Sequence, residues 1–200
     1  MKRLGVMGGT FDPPHQGHLV AASEVLHHLE LERVMFVPAG DPWQKHTVAP
    51  AEDRYLMTVL ATGSHARFEV SRLEIDRRGP TYTADTMETL HDFYDGKAEL
   101  KFIAGADTVF GMGTWEKLER LAELAEVVAV SRSGIDLADL DPGPRWPQVH
   151  VVEMPELSVS STEIRDRVRK GLPIDYLVPS SVASYIAEHG LYQGERNANG

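Results

Sequence analysis

The sequence predicts a doubly wound α/β fold with a mostly parallel sheet. Two patterns carry this prediction. Short β-branched and aromatic runs alternate with segments whose apolar residues recur at helical spacing, and the first such run feeds a glycine pair that opens directly into the first helical segment. Arg3 to Met7 reads as a buried strand that stops at Gly8-Gly9. After His18, residues Leu19, Ala22, Val25, Leu26 and Leu29 share one helical face. Val34 to Val37 is a second strand, ended by Pro38. The alternation continues with a helix over 51–62, a strand over 68–75 and a helix over 83–94 that carries Met87, Leu90 and Tyr94 on one stripe. Leu100 to Ala104 is a strand closed by Gly105, followed by a helix around 115–125 and a strand over Val127 to Val130. Residues 149–153 form a further strand, Ser160 opens a helix through about Lys170, and Ser181 to His189 is a last helix closed by Gly190. Residues 40–50 and 134–147 read as loops, and the polar end, Gln193 to Gly200, as a frayed tail.

Composition narrows the function classes. At 200 residues the chain can bury a sizeable core in one domain. It has no cysteine, which excludes a disulfide framework, a thiolate metal site and a cysteine nucleophile, and fits a reducing, cytoplasmic setting. The apolar run after Met1-Lys2-Arg3 is too short for a signal peptide, and no stretch approaches a membrane span. The net charge of -10 argues against nucleic acid as a partner. An acidic chain that binds phosphates must gather its cations and backbone N–H groups at one place.

Two segments gather such groups. The first is Gly8-Gly9-Thr10-Phe11-Asp12-Pro13-Pro14-His15-Gln16-Gly17-His18, between the first strand and the first helix. Ligands of doubly wound sheets bind at the carboxyl ends of strands, with phosphate at the next helix N-terminus. Gly8 and Gly9 would allow close backbone approach, and Gly17 would leave room for a phosphate chain between His15 and His18. On the residues alone, the glycines serve a plain turn equally well. The two histidines could be a metal pair, but no third ligand is evident. The dinucleotide fingerprint and the Walker A pattern are absent. The second segment is Ser160-Ser161-Thr162-Glu163-Ile164-Arg165. Ser160 with Glu163 makes a capping box, and Arg165 lies on the face of Ser161 near the positive end of the helix, where a hydroxyl, a guanidinium and free N–H groups suit a triphosphate.

Together the HxGH core and the SSTxIR form resemble the nucleotidylyltransferase superfamily, and within it the bacterial nicotinate-nucleotide adenylyltransferases. The resemblance covers residues 1–192, implying one Rossmann-like domain with a helical C-terminal portion from about 160. It implies adenylyl transfer from ATP to nicotinate mononucleotide in NAD biosynthesis, with Mg²⁺ held mainly by the phosphates rather than by protein side chains. It assigns His15, His18, Lys45 and Arg165 to catalysis, with Lys45 carried on the loop Pro42-Trp43-Gln44-Lys45. ATP would contact Gly8, Gly9, Thr10, Phe11, Gly105, Asp107, Ser161 and Thr162. Nicotinate mononucleotide would contact Thr86, on the helix opened by Pro80-Thr81-Tyr82-Thr83, together with Trp115, Arg132 and Lys45. ATP and the mononucleotide would be the only partners, with no nucleic acid and no membrane; a homo-oligomer is compatible with the sequence. Three departures stand out: Pro14 where many members carry a branched aliphatic, Glu116 where many carry a second aromatic, and a 41–47 loop unlike the Pro-Pro-His-Lys type.

The implied chemistry is in-line attack of the acceptor phosphate on the α-phosphorus of ATP, which explains why no nucleophile–base pair is evident. Phosphopantetheine is the rival acceptor within the superfamily, where chains are shorter; the Thr86 segment and Trp115 favour nicotinate. A non-catalytic nucleotide sensor would need ATP affinity but not both histidines with Lys45 and Arg165. A redox enzyme is weakened by the missing dinucleotide fingerprint.

Overall fold

The computed structural model describes residues 2–42, 46–132 and 149–193. Six parallel strands form one sheet in the order β3-β2-β1-β4-β5-β6. The strands are β1 Lys2–Gly9, β2 Arg33–Pro38, β3 Phe68–Val70, β4 Ala98–Gly105, β5 Ala125–Arg132 and β6 Val149–Met154. The helices are α1 Gln16–His28, α2 Ala51–Thr62, α3 Thr83–Phe93, α4 Ala106–Phe110, α5 Leu118–Leu124, α6 Ser161–Arg169 and α7 Ser180–Glu188. Strand order reverses between β1 and β4, which creates the crevice where doubly wound folds place their ligands.

Alternation along each central strand feeds two cores. Leu4 and Val6 of β1, with Leu100, Phe102 and Ala104 of β4, pack under Met87 and Leu90 of α3 and Leu121 of α5. On the other face Met7, Ile103, Val128 and Val152 pack with Ala22, Val25 and Leu26 of α1. A third cluster joins Met57 and Ala61 of α2 to Ile164 of α6 and Val182 and Ile186 of α7, so α6 and α7 pack together with α2. No helix among the described residues is long and apolar enough to cross a membrane.

Three elements differ from the sequence reading. The strand expected over 68–75 stops at Val70, because Ser71 and Arg72 start turns: the Ser71 hydroxyl accepts from Leu73 N–H, and Asp76 N–H reaches Arg72 O. Arg72 also pairs with Glu52 and Asp76, which draws the chain off the sheet edge. Gly105 ends β4 as expected, but it also caps the short helix α4, which the reading missed. The helix expected from 115 begins only at Leu118. Trp115 is extended at φ -76° and ψ 140°, and Lys117 is left-handed at φ 59°. The loop at 134–147 and most of the expected tail, 194–200, lie outside the described residues.

Gly40 follows β2 at the point where Arg72–Asp76 folds back. A Cβ there would overlap the backbone carbonyl of Glu74. Backbone cannot yield as a flexible side chain can, so Gly40→Ala is expected to cost roughly 1–3 kcal/mol, the usual range for overpacking. A urea denaturation curve with an unchanged midpoint would show that this close approach is not tight.

Candidate active site

A cavity of about 810 Å³ opens at the carboxyl ends of β1 and β4, at the switch point. This is within the range of small-molecule sites. Its walls include Gly8, Gly9 and Thr10 from β1 and the following turn, His15 and His18 at the start of α1, and Gly105 and Asp107 at the start of α4. Ser161, Thr162 and Arg165 enter from α6, and Thr81, Tyr82, Thr83 and Trp115 from the far side.

The two histidines are held by the backbone of their own helix start. His15 is the N-cap residue, and its N–H donates to Nδ1 of His18 at 3.1 Å. A nitrogen that accepts this bond carries no proton, which in the neutral ring leaves the proton on Nε2. The rings stack with centroids 3.7 Å apart and an interplanar angle of 26°. A Cβ on Gly17 would meet the His15 ring at 3.0–3.1 Å and Val159 at 3.3 Å. A side chain at Gly17 would therefore press on His15 and on the chain leading into α6, and Gly17 itself lines the cavity. Likewise a Cβ on Gly9 would press on the Phe11 ring, and one on Gly8 on Phe102.

Asp12 organises the loop. It is 2% exposed. Its Oδ2 accepts Val48 N–H at 2.6 Å, and its Oδ1 accepts Ala49 N–H at 3.1 Å and the Tyr192 hydroxyl at 2.7 Å. Its main-chain oxygen accepts Arg165 Nη1 at 2.7 Å, while Pro13 O accepts the Ser161 hydroxyl at 2.8 Å. Arg165 Nη2 donates to Thr162 Oγ1 at 3.1 Å. Burial and the adjacent Asp12 carboxylate push the Tyr192 hydroxyl pKa well up, so it remains a donor.

Beneath the loop lies Arg54 of α2, 1% exposed. Its Nε reaches Ala49 O at 3.2 Å, Nη1 reaches Thr10 O at 2.8 Å and Nη2 reaches Gly40 O at 3.1 Å. Burial lowers its pKa, and the charge of Asp12 works against that shift. Five donors in a rigid fork let one guanidinium tie three loop segments at once, which a lysine could not do.

The comparisons with known proteins agree with this geometry. The chain matches the Cytidylyltransferase-like family over residues 6–167. A relative from Saccharopolyspora erythraea, named a probable nicotinate-nucleotide adenylyltransferase, is 54% identical over 100% of this chain and 93% of its own. One of the same name from Corynebacterium kroppenstedtii is 56% identical over 95% and 90%. The chain belongs to the nicotinate-nucleotide adenylyltransferase family. The fold is shared with Plasmodium falciparum nicotinic acid mononucleotide adenylyltransferase complexed with NaAD, at a TM-score of 0.78 and 19% identity over 96% of this chain and 98% of that one.

Within this family member, the cavity brings together most residues singled out from the sequence, with two exceptions by geometry. Phe11 is 1% exposed with φ 47°; its ring turns into the core against Phe36 and the edge of His18, so only its backbone faces the loop. Thr86 is 1% exposed, and its hydroxyl donates to Glu74 Oε1 at 2.7 Å and accepts from Arg77 Nη1 at 3.2 Å. It sits one turn inside α3, whose start at Tyr82 and Thr83 is what lines the cavity. Trp115 lines the wall edge-on to Phe102, with centroids 5.8 Å apart. Lys45 and the side chain of Arg132 lie outside the described residues.

The sequence reading missed Asp12, Arg54, Glu74 and Tyr192. For Arg54 a signal was present: it occupies the buried stripe of α2 with Met57, Thr58 and Ala61, where a cation must have partners. Tyr192 gave no local signal, because its partner lies at the other end of the chain.

Glu74 also lines the cavity and is 7% exposed. Burial raises its pKa, opposed by hydrogen bonds from Thr86 and Thr81 and by the charges of Arg77 and Arg54. A carboxyl whose folded pKa lies above its unfolded value favours the fold when protonated, and that contribution is lost as pH rises through the folded pKa. Glu74→Gln is therefore expected to gain stability relative to the parent between pH 4 and pH 7. Unfolding curves at the two pH values that stay parallel would contradict this assignment.

Proposed function

We propose that this protein transfers the adenylyl group of ATP to nicotinate mononucleotide, giving nicotinate adenine dinucleotide and pyrophosphate in NAD biosynthesis. The observation that carries the reading is the convergence of His15, His18 and Arg165, from opposite ends of the chain, on one cavity at the switch point. Near-complete alignment with relatives of that name, at 54% and 56% identity, supports the same acceptor.

The reaction forms one bond and breaks one. An oxygen of the acceptor phosphate attacks the α-phosphorus of ATP, and the bond to the β-phosphate bridging oxygen breaks on the opposite side. A phosphate monoester is largely ionised at pH 7, so no general base is needed. The work left to the protein is alignment and stabilisation of charge that builds on the phosphate oxygens. His18, on the cavity wall, would donate to such an oxygen, and His15 stacks beside it. Arg165 brings a cation whose position is set by Asp12 O and Thr162. Lys45 would add a second cation, and Thr10, Gly105, Asp107, Ser161 and Thr162 would contact ATP.

On the cavity wall His15, His18, Ser161, Thr162 and Arg165 supply donors and a cation, which suit phosphate oxygens rather than a metal. Mg²⁺ is accordingly assigned to the triphosphate, where it would neutralise charge on the leaving pyrophosphate. The acceptor end is assigned to the start of α3 and to Trp115, with Arg132 as a further contact. The first N–H groups of α3 have no intrahelical acceptor and favour an anion such as the nicotinate carboxylate. Two multiply charged phosphorylated substrates do not cross a bilayer unaided, which supports a cytoplasmic location.

His18→Ala is expected to lower kcat about a hundredfold or more while the fold survives, the usual effect of removing one transition-state donor. Pyrophosphate release would measure this, and near-normal turnover would remove His18 from the mechanism. A helix N-terminus that favours the acid by roughly 0.3–1 kcal/mol predicts about a two- to fivefold preference in kcat/KM over the amide mononucleotide, and more if the site is dry. Equal rates with both acceptors would refute the assigned selectivity.

A further inference from the structure

Tyr192 lies four residues beyond α7, in the last described stretch of the chain. Gly190, at φ 61°, turns the chain out of α7, and Leu191 N–H returns to Ile186 O at 3.0 Å. The next residue is again left-handed: Tyr192 has φ 62°, a conformation that non-glycine residues avoid unless their surroundings enforce it. The side chain enters the core, 6% exposed, and its hydroxyl ends on Asp12.

A carboxylate that already holds Val48 and Ala49 N–H is adequately bonded without a third donor. What the third donor adds is orientation. The same residue's carbonyl is the acceptor of Arg165, and the next carbonyl is the acceptor of Ser161. Any tilt of Asp12 shifts both α6 contacts. It also shifts the chain beyond Val48, where His46 lines the cavity.

We propose that Tyr192 is a positioning residue for adenylyl transfer, acting through Asp12 to hold Arg165 and the 46–49 segment at the phosphate end of the cavity. The inference rests on the function proposed above. It extends the site to the far end of the chain, to a residue that touches neither substrate.

Tyr185 provides an internal control. It lies on α7 itself, and its hydroxyl makes a bond of the same length, 2.7 Å, to Asp53, which does not line the cavity. The test compares the parent chain with Tyr192→Phe and Tyr185→Phe at a temperature where thermal unfolding shows all three fully folded. Two quantities are read: kcat for pyrophosphate release with nicotinate mononucleotide, and affinity for a non-hydrolysable ATP analogue, which does not depend on the acceptor. Displacing a phosphate-binding group by a fraction of an ångström is expected to lower kcat about tenfold and weaken analogue binding several-fold in Tyr192→Phe. Tyr185→Phe should stay within twofold in both. Asp12→Asn, which keeps the volume but removes the charge that three donors address, is expected to reproduce the Tyr192→Phe loss. The inference is overturned if Tyr192→Phe stays within twofold in both readouts, or if the two tyrosine variants lose activity equally. Should the parent bind the analogue yet fail to use the mononucleotide, the acceptor assignment fails, and the binding ratio still decides the role of Tyr192.

Discussion

Everything at the active cavity depends on a contact between the two ends of the chain. Ser161 and Arg165 of α6 donate to two consecutive carbonyls, Pro13 and Asp12, in the turn after β1. Neither contact is part of secondary structure, and each joins residues about 150 positions apart. If α6 were displaced, the guanidinium would leave the histidines and the cavity would open on one side. The hydrophobic cluster of Met57, Ile164, Val182 and Ile186 supplies the affinity that keeps α6 against α2 and α7, and the two hydrogen bonds supply its register. Burial is non-directional, whereas a bond from a planar guanidinium to a carbonyl specifies both distance and angle.

The charge arrangement follows from the same packing. A chain with net charge -10 repels a triphosphate at long range unless local groups reverse the field. Asp12 would worsen that problem as a bare carboxylate near the phosphates. Two backbone N–H groups and a hydroxyl spread its charge, and the Arg54 cation beneath offsets it. Arg54 spends its donors on the carbonyls of Thr10, Gly40 and Ala49, so it holds the loops in place from below. Arg165 instead lines the cavity. The two arginines therefore divide the labour, one tying loops together and one on the cavity wall, although both are close to Asp12.

The architecture was legible wherever a local pattern decides structure. The apolar runs of β1, β2, β4, β5 and β6 and the apolar stripes of α1 and α3 are properties of short windows, and their elements form where the windows place them. The HxGH and SSTxIR segments were legible as chemistry for the same reason. Failures came where a distant partner overrides the window. The strand over 68–75 alternates only through Phe68 and Val70; the apolar positions then shift phase to Leu73 and Ile75, and the last residues go to turns anchored by Arg72. Thr86 reads as an acceptor contact on the first turn of a helix over 83–94, yet its hydroxyl is drawn inward by Glu74. Phe11 lies in a glycine-rich ligand loop, but a Cβ-free Gly9 gives its ring a place in the core. The role of Asp12 needs α6, the 46–49 segment and Tyr192 to be present together, and no window of the sequence contains all three.

The histidine pair shows how little covalent chemistry this site requires. Most histidines near pH 7 exchange between protonation states, and an imidazole used as a base must be free to accept. Here Nδ1 of His18 is occupied by the N–H of His15, a bond built into the N-terminus of α1, so protonating that nitrogen would break the helix cap. In the neutral ring this leaves Nε2, not Nδ1, as the donor. That suits a reaction whose nucleophile is already anionic, since a donor stabilises charge on the phosphorane-like oxygens while a base would have no proton to remove. It also explains why a glycine follows His15 by two positions: a side chain at Gly17 would strike the His15 ring and tilt the stack that presents His18. The spacing of the motif is thus set as much by the geometry of a helix start as by the ligand it faces.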